Sequence, residues 1–115
     1  MKNFTCIYDE LCYADETAKE VFTEEQVIEA FGKSLKEIRW YCHLSEEALG
    51  KEIGIGQSTL SAYEQGKRYP SLLQAIKIAT YFSLTVEEFI LCGLECHSKD
   101  IIELYRERHP KKKKN

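Results

Sequence analysis

The sequence predicts an all-α fold, and three observations predict it. Val27, Phe31, Leu35, Ile38 and Cys42 recur at spacings of three or four residues, the period of a long amphipathic helix. Ser45, Ser71 and Thr85 each stand just before another run with helical character, where a side-chain oxygen can satisfy the free amides of a first turn. Gly54-Ile55-Gly56 leaves a gap of about three residues between two short helical runs, so those helices are set around a tight turn.

Length and composition bound the rest. A chain of 115 residues is one domain's worth, with a single buried core and a few appendages. It has no run of roughly 18 apolar residues, so no membrane span is expected. No apolar signal-peptide core follows the N-terminus, which makes the expected location cytoplasmic and the five cysteines reduced thiols. The net charge of -3 is unevenly placed. Residues 1–30 hold eight acidic and two basic side chains, 31–92 seven of each, and 93–115 four acidic and seven basic. The expected organisation is an acidic extension over 1–23, a helical domain over 24–93, and a C-terminal helix with a basic tail over 94–115.

Within the extension, 4–8 read as irregular and 14–22 as weakly helical. Thr23-Glu24-Glu25-Gln26 is a capping-box pattern that opens a helix to about Cys42, with Gly32 a soft point inside it. Ser45 caps a second helix whose Glu46 and Glu47 suit the positive end of the helix dipole. Gly54 stops that helix in a left-handed conformation and Ile55 drops into the core. A third helix runs from Gln57 to about Gln65, with Leu60 and Tyr63 inward and Gln57, Ser58, Thr59, Ser61 and Ala62 outward. Ser71 caps a fourth, to Tyr81, with Leu72, Leu73, Ile76 and Ala79 as its inward stripe. Thr85 precedes a fifth, ending at Cys92-Gly93. A sixth, from about 99 to 108, carries Ile101, Ile102, Leu104 and Tyr105. That stripe has no place in a five-helix bundle, so it folds back on the acidic arm or pairs with a second subunit.

Two short helices around a glycine turn have the geometry by which a second helix enters a DNA major groove. The outward face of the third helix is polar and uncharged; Gln can pair with adenine, and Ser or Thr can touch bases or phosphates. Taken alone, such a face is better read as merely solvated, since any polar octapeptide could serve. The runs 35–39, 44–49 and 54–70 resemble the Cro and phage-repressor-like helix-turn-helix family, often called XRE. The most specific part is Ser61-x-x-Glu64-x-Gly66-x-x-x-Pro70, followed by Ile76-x-x-Ala79 and Leu84-x-Val86-x-x-Phe89.

The resemblance implies a five-helix bundle binding double-stranded DNA as a transcriptional regulator, a repressor by expectation. Gln57, Ser58 and Thr59 would read bases, with Ala62 on the same face, while Ser61, Lys67 and Arg68 hold the backbone. Lys33, Lys36 and Lys51 are possible flanking contacts or equally solvated side chains. The resemblance also implies that Arg39 and Glu64 pair across two helices. A homodimer on a palindromic operator is expected, because one recognition helix reads only a few base pairs.

Three positions depart from the family pattern. Glu46 replaces the Gln that usually helps hold a phosphate, and a carboxylate there would repel DNA. Gly50 replaces a small Ala, and Gly56 a capping Ser. Cys92-x-x-x-Cys96-His97 has ligand-type residues without a recognisably spaced second set, so no metal or cofactor is expected. No catalytic constellation stands out, so no enzyme is read. The alternative is a protein-interaction module, such as an antitoxin, that keeps the helix-turn-helix as scaffold; Glu46 and the neutral charge of 31–92 favour it.

Overall fold

The structure, a computed structural model, describes residues 22–110. The expectations for 4–8 and 14–21, for Cys6 and Cys12, and for the Lys111–Lys114 run lie outside the described residues. Among the described residues there are six helices and no strand: α1 Glu24–Tyr41, α2 Glu46–Ile53, α3 Gln57–Glu64, α4 Leu72–Tyr81, α5 Val86–Gly93 and α6 Ile101–Arg108. None of them is long and apolar enough to cross a membrane.

The longest helix, α1, is the axis. Its capping box is closed from both sides: the Gln26 amide donates to Thr23 Oγ1 at 3.1 Å, and the Thr23 amide donates to Gln26 Oε1 at 2.8 Å. Phe31, Leu35 and Ile38 are buried along one face, and α3, α5 and α6 all pack against it. Gly32 is no soft point. A Cβ there would lie 2.3 Å from the Tyr63 carbonyl oxygen, so the missing side chain is what lets α1 and α3 touch backbone to backbone. Gly93 does the same for α5, its absent Cβ leaving room for the Ala30 carbonyl. Between them, Ser34 is buried and donates its hydroxyl to the Phe89 carbonyl at 2.6 Å.

Two apolar stripes differ from expectation. In α4 the buried residues are Ala75, Ile78 and Ala79, whereas Leu72, Leu73 and Ile76 are 74%, 65% and 45% exposed. The periodicity 72-76-79 shares Ala79 with the true inner face but is rotated away from it. Small alanines are what the narrow space against α2 and α5 admits, so the bulky residues turn outward. Leu72 also borders an apolar groove of about 260 Å³ with Val27, Phe31 and Pro70.

The sixth helix does have a place in the bundle. Ile101 and Leu104 are buried in the same core as Phe31, Phe82 and Phe89, with Ile102 and Tyr105 packed against it. Tyr105 meets Phe82 edge-on at 6.2 Å and Tyr41 at 5.9 Å, covering the side that five helices would leave open. An Asp100–Glu103 capping box starts the helix, and Arg108 forks onto both Glu88 oxygens at 2.7 Å to close its end.

Candidate nucleic-acid interface

The turn between α2 and α3 is built on one carbonyl. Gly54 takes φ +75°, and its amide and that of Ile55 both donate to the Gly50 oxygen, at 2.7 and 3.0 Å. Gly50 is required by the same closure: a Cβ there would lie 2.3 Å from the Ile55 carbonyl oxygen. Ile55 is buried. The replacement of the usual Ala at position 50 is therefore matched to the turn.

On α3, Leu60 and Tyr63 are buried, and the Tyr63 hydroxyl donates to Gln74 of α4. Gln57 and Ser58 are exposed, Thr59, Ser61 and Ala62 half-buried, and Lys67 and Arg68 exposed just beyond the helix. The first turn has no side-chain cap at Gly56 and no acidic residue. Its amides therefore lack a side-chain cap from Gly56, and amides at a helix start favour a phosphate or a base acceptor. Ser61 Oγ accepts from Gln65 Nε2 at 2.9 Å.

Arg39 and Glu64 are paired at depth. Arg39 Nε donates to Glu64 Oε2 at 2.5 Å and Nη2 to Oε1 at 2.9 Å, while Nη1 donates to the Leu44 carbonyl at 2.7 Å. The guanidinium thus ties together α1, the start of α2 and α3. The hydrogen bond to Glu64 pushes the Arg39 pKa above its ordinary value. Burial pushes the Glu64 carboxyl above the usual carboxylate range, against the pull of Arg39, and the neighbouring Glu46 adds to the rise. The burial cost of the pair falls on its carboxylate because Glu64 is the deeper partner and has a like charge beside it.

Glu46 does not point at solvent as an isolated charge. Its Oε2 lies 4.0 Å from Arg39 Nη2, and its Oε1 accepts from Gln57 Nε2 at 3.3 Å. Arg39, Glu46, Gln57 and Glu64 line one recess of about 430 Å³ between the helices, with Lys36 at its side. Nothing in the local sequence signals this turn toward the protein, because the partners of Glu46 lie on the two neighbouring helices, α1 and α3, and are not marked by local spacing.

The three flanking lysines are engaged elsewhere. Lys33 pairs with Glu95 at 3.1 Å, Lys36 sits over the Trp40 ring at 4.9 Å, and Lys51 lies 3.9 Å from Glu47. Lys67 and Arg68 have no ion-pair partner among the described residues. Burial, with Glu88 nearby, pushes the Cys92 thiol up to about 12. It stays protonated and donates to the Lys99 carbonyl at 3.3 Å. No group of three metal-ligating side chains occurs among the described residues.

A capped helix, a glycine turn closing on one carbonyl, and a second helix braced from behind with its polar N-terminal face free define a helix-turn-helix domain. Comparison with known proteins agrees: the helix-turn-helix family matches residues 35–89. The HTH-type transcriptional regulator YgzD of Bacillus subtilis is 41% identical over 54 residues, 47% of this chain and 82% of its own length. A similar regulator from Methanocaldococcus jannaschii is 39% identical over 57 residues, 50% of this chain and 86% of its own length. The phage CTXphi transcriptional repressor RstR of Vibrio cholerae is 28% identical over 60 residues, 52% of this chain and 54% of its own length. No solved structure matches. The chain belongs to the XRE-type helix-turn-helix family, a family of regulators rather than enzymes.

Proposed function

We propose that this protein is a cytoplasmic, sequence-specific DNA-binding transcriptional regulator, a repressor, acting as a homodimer on a palindromic operator. The observation that carries this reading is the polar, uncharged N-terminal face of α3, followed by two exposed cations, Lys67 and Arg68, that have no ion-pair partner among the described residues. Gln57, Ser58 and Thr59 reach base edges, with Ala62 alongside; Ser61, Lys67 and Arg68 contact the backbone. Repression follows when the operator overlaps a promoter and the bound dimer excludes polymerase. The exposed Leu72, Leu73 and Ile76 of α4 support an apolar contact between two protomers. Glu46, which favours the reading as a pure interaction module, is turned to Arg39 and Gln57.

Reversing both cations, Lys67→Glu with Arg68→Glu, tests the reading. DNA affinity measured by anisotropy falls, and the slope of log affinity against log salt drops by about two, one for each lost phosphate contact. Unchanged affinity and slope would contradict it. A sizing column tests the dimer, and a monomer at high micromolar concentration would remove the argument for a palindromic site.

A further inference from the structure

The apolar groove beside α4 opens where the acidic extension joins the described domain. Val27, Ile28, Val86 and Ile90 line it half-buried, and Tyr69 and Leu72 line it exposed. Every side chain around it is apolar or aromatic. Its volume of about 260 Å³ falls below the roughly 300–1,000 Å³ of small-molecule pockets. A few apolar side chains suit it better than a ligand that needs polar anchors.

Two contacts set this groove beside the cations assigned to the DNA backbone. The Tyr69 hydroxyl bonds to Glu24 in the first turn of α1, and a Cβ at Gly66 would meet Glu29 Cγ at 3.2 Å. The segment 66–70 therefore lies along the start of α1, and it contains Lys67 and Arg68. Thr23, where the extension joins, is the N-cap of that same helix. The extension thus meets the domain next to an apolar groove and next to two cations that have no ion-pair partner among the described residues.

Its sequence carries the complement of both. Phe4, Ile7, Tyr8 and Leu11 are an apolar cluster, and Asp15, Glu16 and Glu20, with Lys19 among them, stand between that cluster and Thr23. The dozen positions from Leu11 to Thr23 span up to about 40 Å when extended, whereas Val27 is one helical turn from Thr23. Reach is therefore ample. The other apolar face available to the extension, that of α6, is already packed into the core through Ile101 and Leu104.

We propose that the extension is an intrachain mask for the DNA-binding surface: Ile7 and Leu11 seat in the groove, and Asp15, Glu16 and Glu20 lie over Lys67 and Arg68 in place of phosphates. The masking rests on the reading that those two cations contact DNA; the docking does not. Such a mask lowers affinity for every duplex by one factor, so weak, sequence-blind sites lose occupancy first. Leu73 and Ile76, which do not line the groove, stay open to a second protomer.

The test uses the full chain and two variants, both checked by thermal melting. Ile7→Ser with Leu11→Ser keeps every charge; Asp15→Asn with Glu16→Gln and Glu20→Gln keeps every apolar side chain. In NMR spectra without DNA, the amide signals of Val27, Ile28, Val86 and Ile90 shift in the apolar variant, equally at every protein concentration. Against a random duplex pool at low salt each variant binds about fivefold tighter than the parent, and the gain disappears when Lys67→Glu and Arg68→Glu are added. Groove signals that stay still overturn the docking and the mask, whatever the DNA titrations give. Shifts that fade on dilution assign the groove to a second copy and overturn the proposal too. A gain confined to the charge variant, or no gain in either where the parent binds, refutes the mask. If the groove signals move but no form of the chain binds duplex, the DNA reading fails and the mask with it, while the docking stands.

Discussion

Two arginines fork onto glutamates in this molecule, and the two pairs do different work. Arg39 and Glu64 join α1 to α3 with side chains only 9% and 3% exposed. Arg108 and Glu88 join α6 to α5 with side chains 37% and 12% exposed. Their carboxyls shift in opposite directions. Burial raises Glu64 despite its arginine. For Glu88 burial also pushes upward, but hydrogen bonds from Arg108 and from the Thr85 backbone outweigh it and hold the carboxyl below the usual range. The deep pair gains little stability from its charges and a great deal of position: it fixes how α3 is set against α1. The shallow pair is an ordinary tether for the last helix.

Breaking the deep pair has the largest expected effect. Arg39→Ala leaves Glu64 buried and uncompensated, and Glu64→Ala strands the guanidinium; either costs about 3–5 kcal/mol in chemical denaturation. Replacing both together with apolar residues of similar volume recovers much of that loss while still impairing DNA binding, which separates stability from positioning.

Gly32→Ala strikes the same joint from the backbone side. A Cβ 2.3 Å from the Tyr63 carbonyl oxygen must push α1 and α3 apart. An expected loss of about 1–3 kcal/mol, read from denaturation midpoints, matches other overpacked sites.

Arg108→Ala at the shallow pair costs no more than about 1 kcal/mol near neutral pH. Its effect depends on pH in a definite direction. Because the folded-state pKa of Glu88 is lowered, the stability it contributes is present above the ordinary carboxylate pKa and is lost as pH falls through the folded value. The stability gap between the parent and Arg108→Ala, followed by denaturation on acidification, should therefore close. A gap that widens would mean the pair is not what lowers Glu88. Glu64 has the opposite sign: its raised pKa favours the fold below the ordinary carboxylate value, and that contribution is lost as pH rises through the raised one.

The smallest effect is a gain. Ser83, whose carbonyl also accepts from Arg108 at 3.1 Å, has φ +61°. Ser83→Gly relieves that left-handed backbone and should raise stability by under about 1 kcal/mol in thermal melting, leaving the Arg108 fork in place.

Helix ends were the most legible part of the sequence, because caps are local. Thr23, Ser45, Ser71 and Thr85 each accept from a backbone amide three residues on, as their spacing implies. What lay between elements was less legible. Leu72, Leu73 and Ile76 look like a core stripe, yet only the neighbouring helices decide that Ala75 and Ile78 face inward. The core role of Ile101 and Leu104 had a readable signal in the Asp100–Glu103 capping box, but which surface they cover depends on the aromatic edge of Phe82 and Tyr41. At the candidate interface, the Arg39–Glu64 pair was reached through family likeness. The Glu46–Gln57 contact was not reached at all, since it joins residues eleven apart across a turn.

The central claim is that the α3 face reads DNA sequence, and one measurement addresses it most directly. The pure protein is titrated by fluorescence anisotropy against a random double-stranded pool at two salt concentrations, and the retained fraction is sequenced. The account predicts salt-dependent binding and enrichment of a palindrome whose half-sites lie about one DNA turn apart. Sequence-blind binding, or none at either salt concentration, would contradict it.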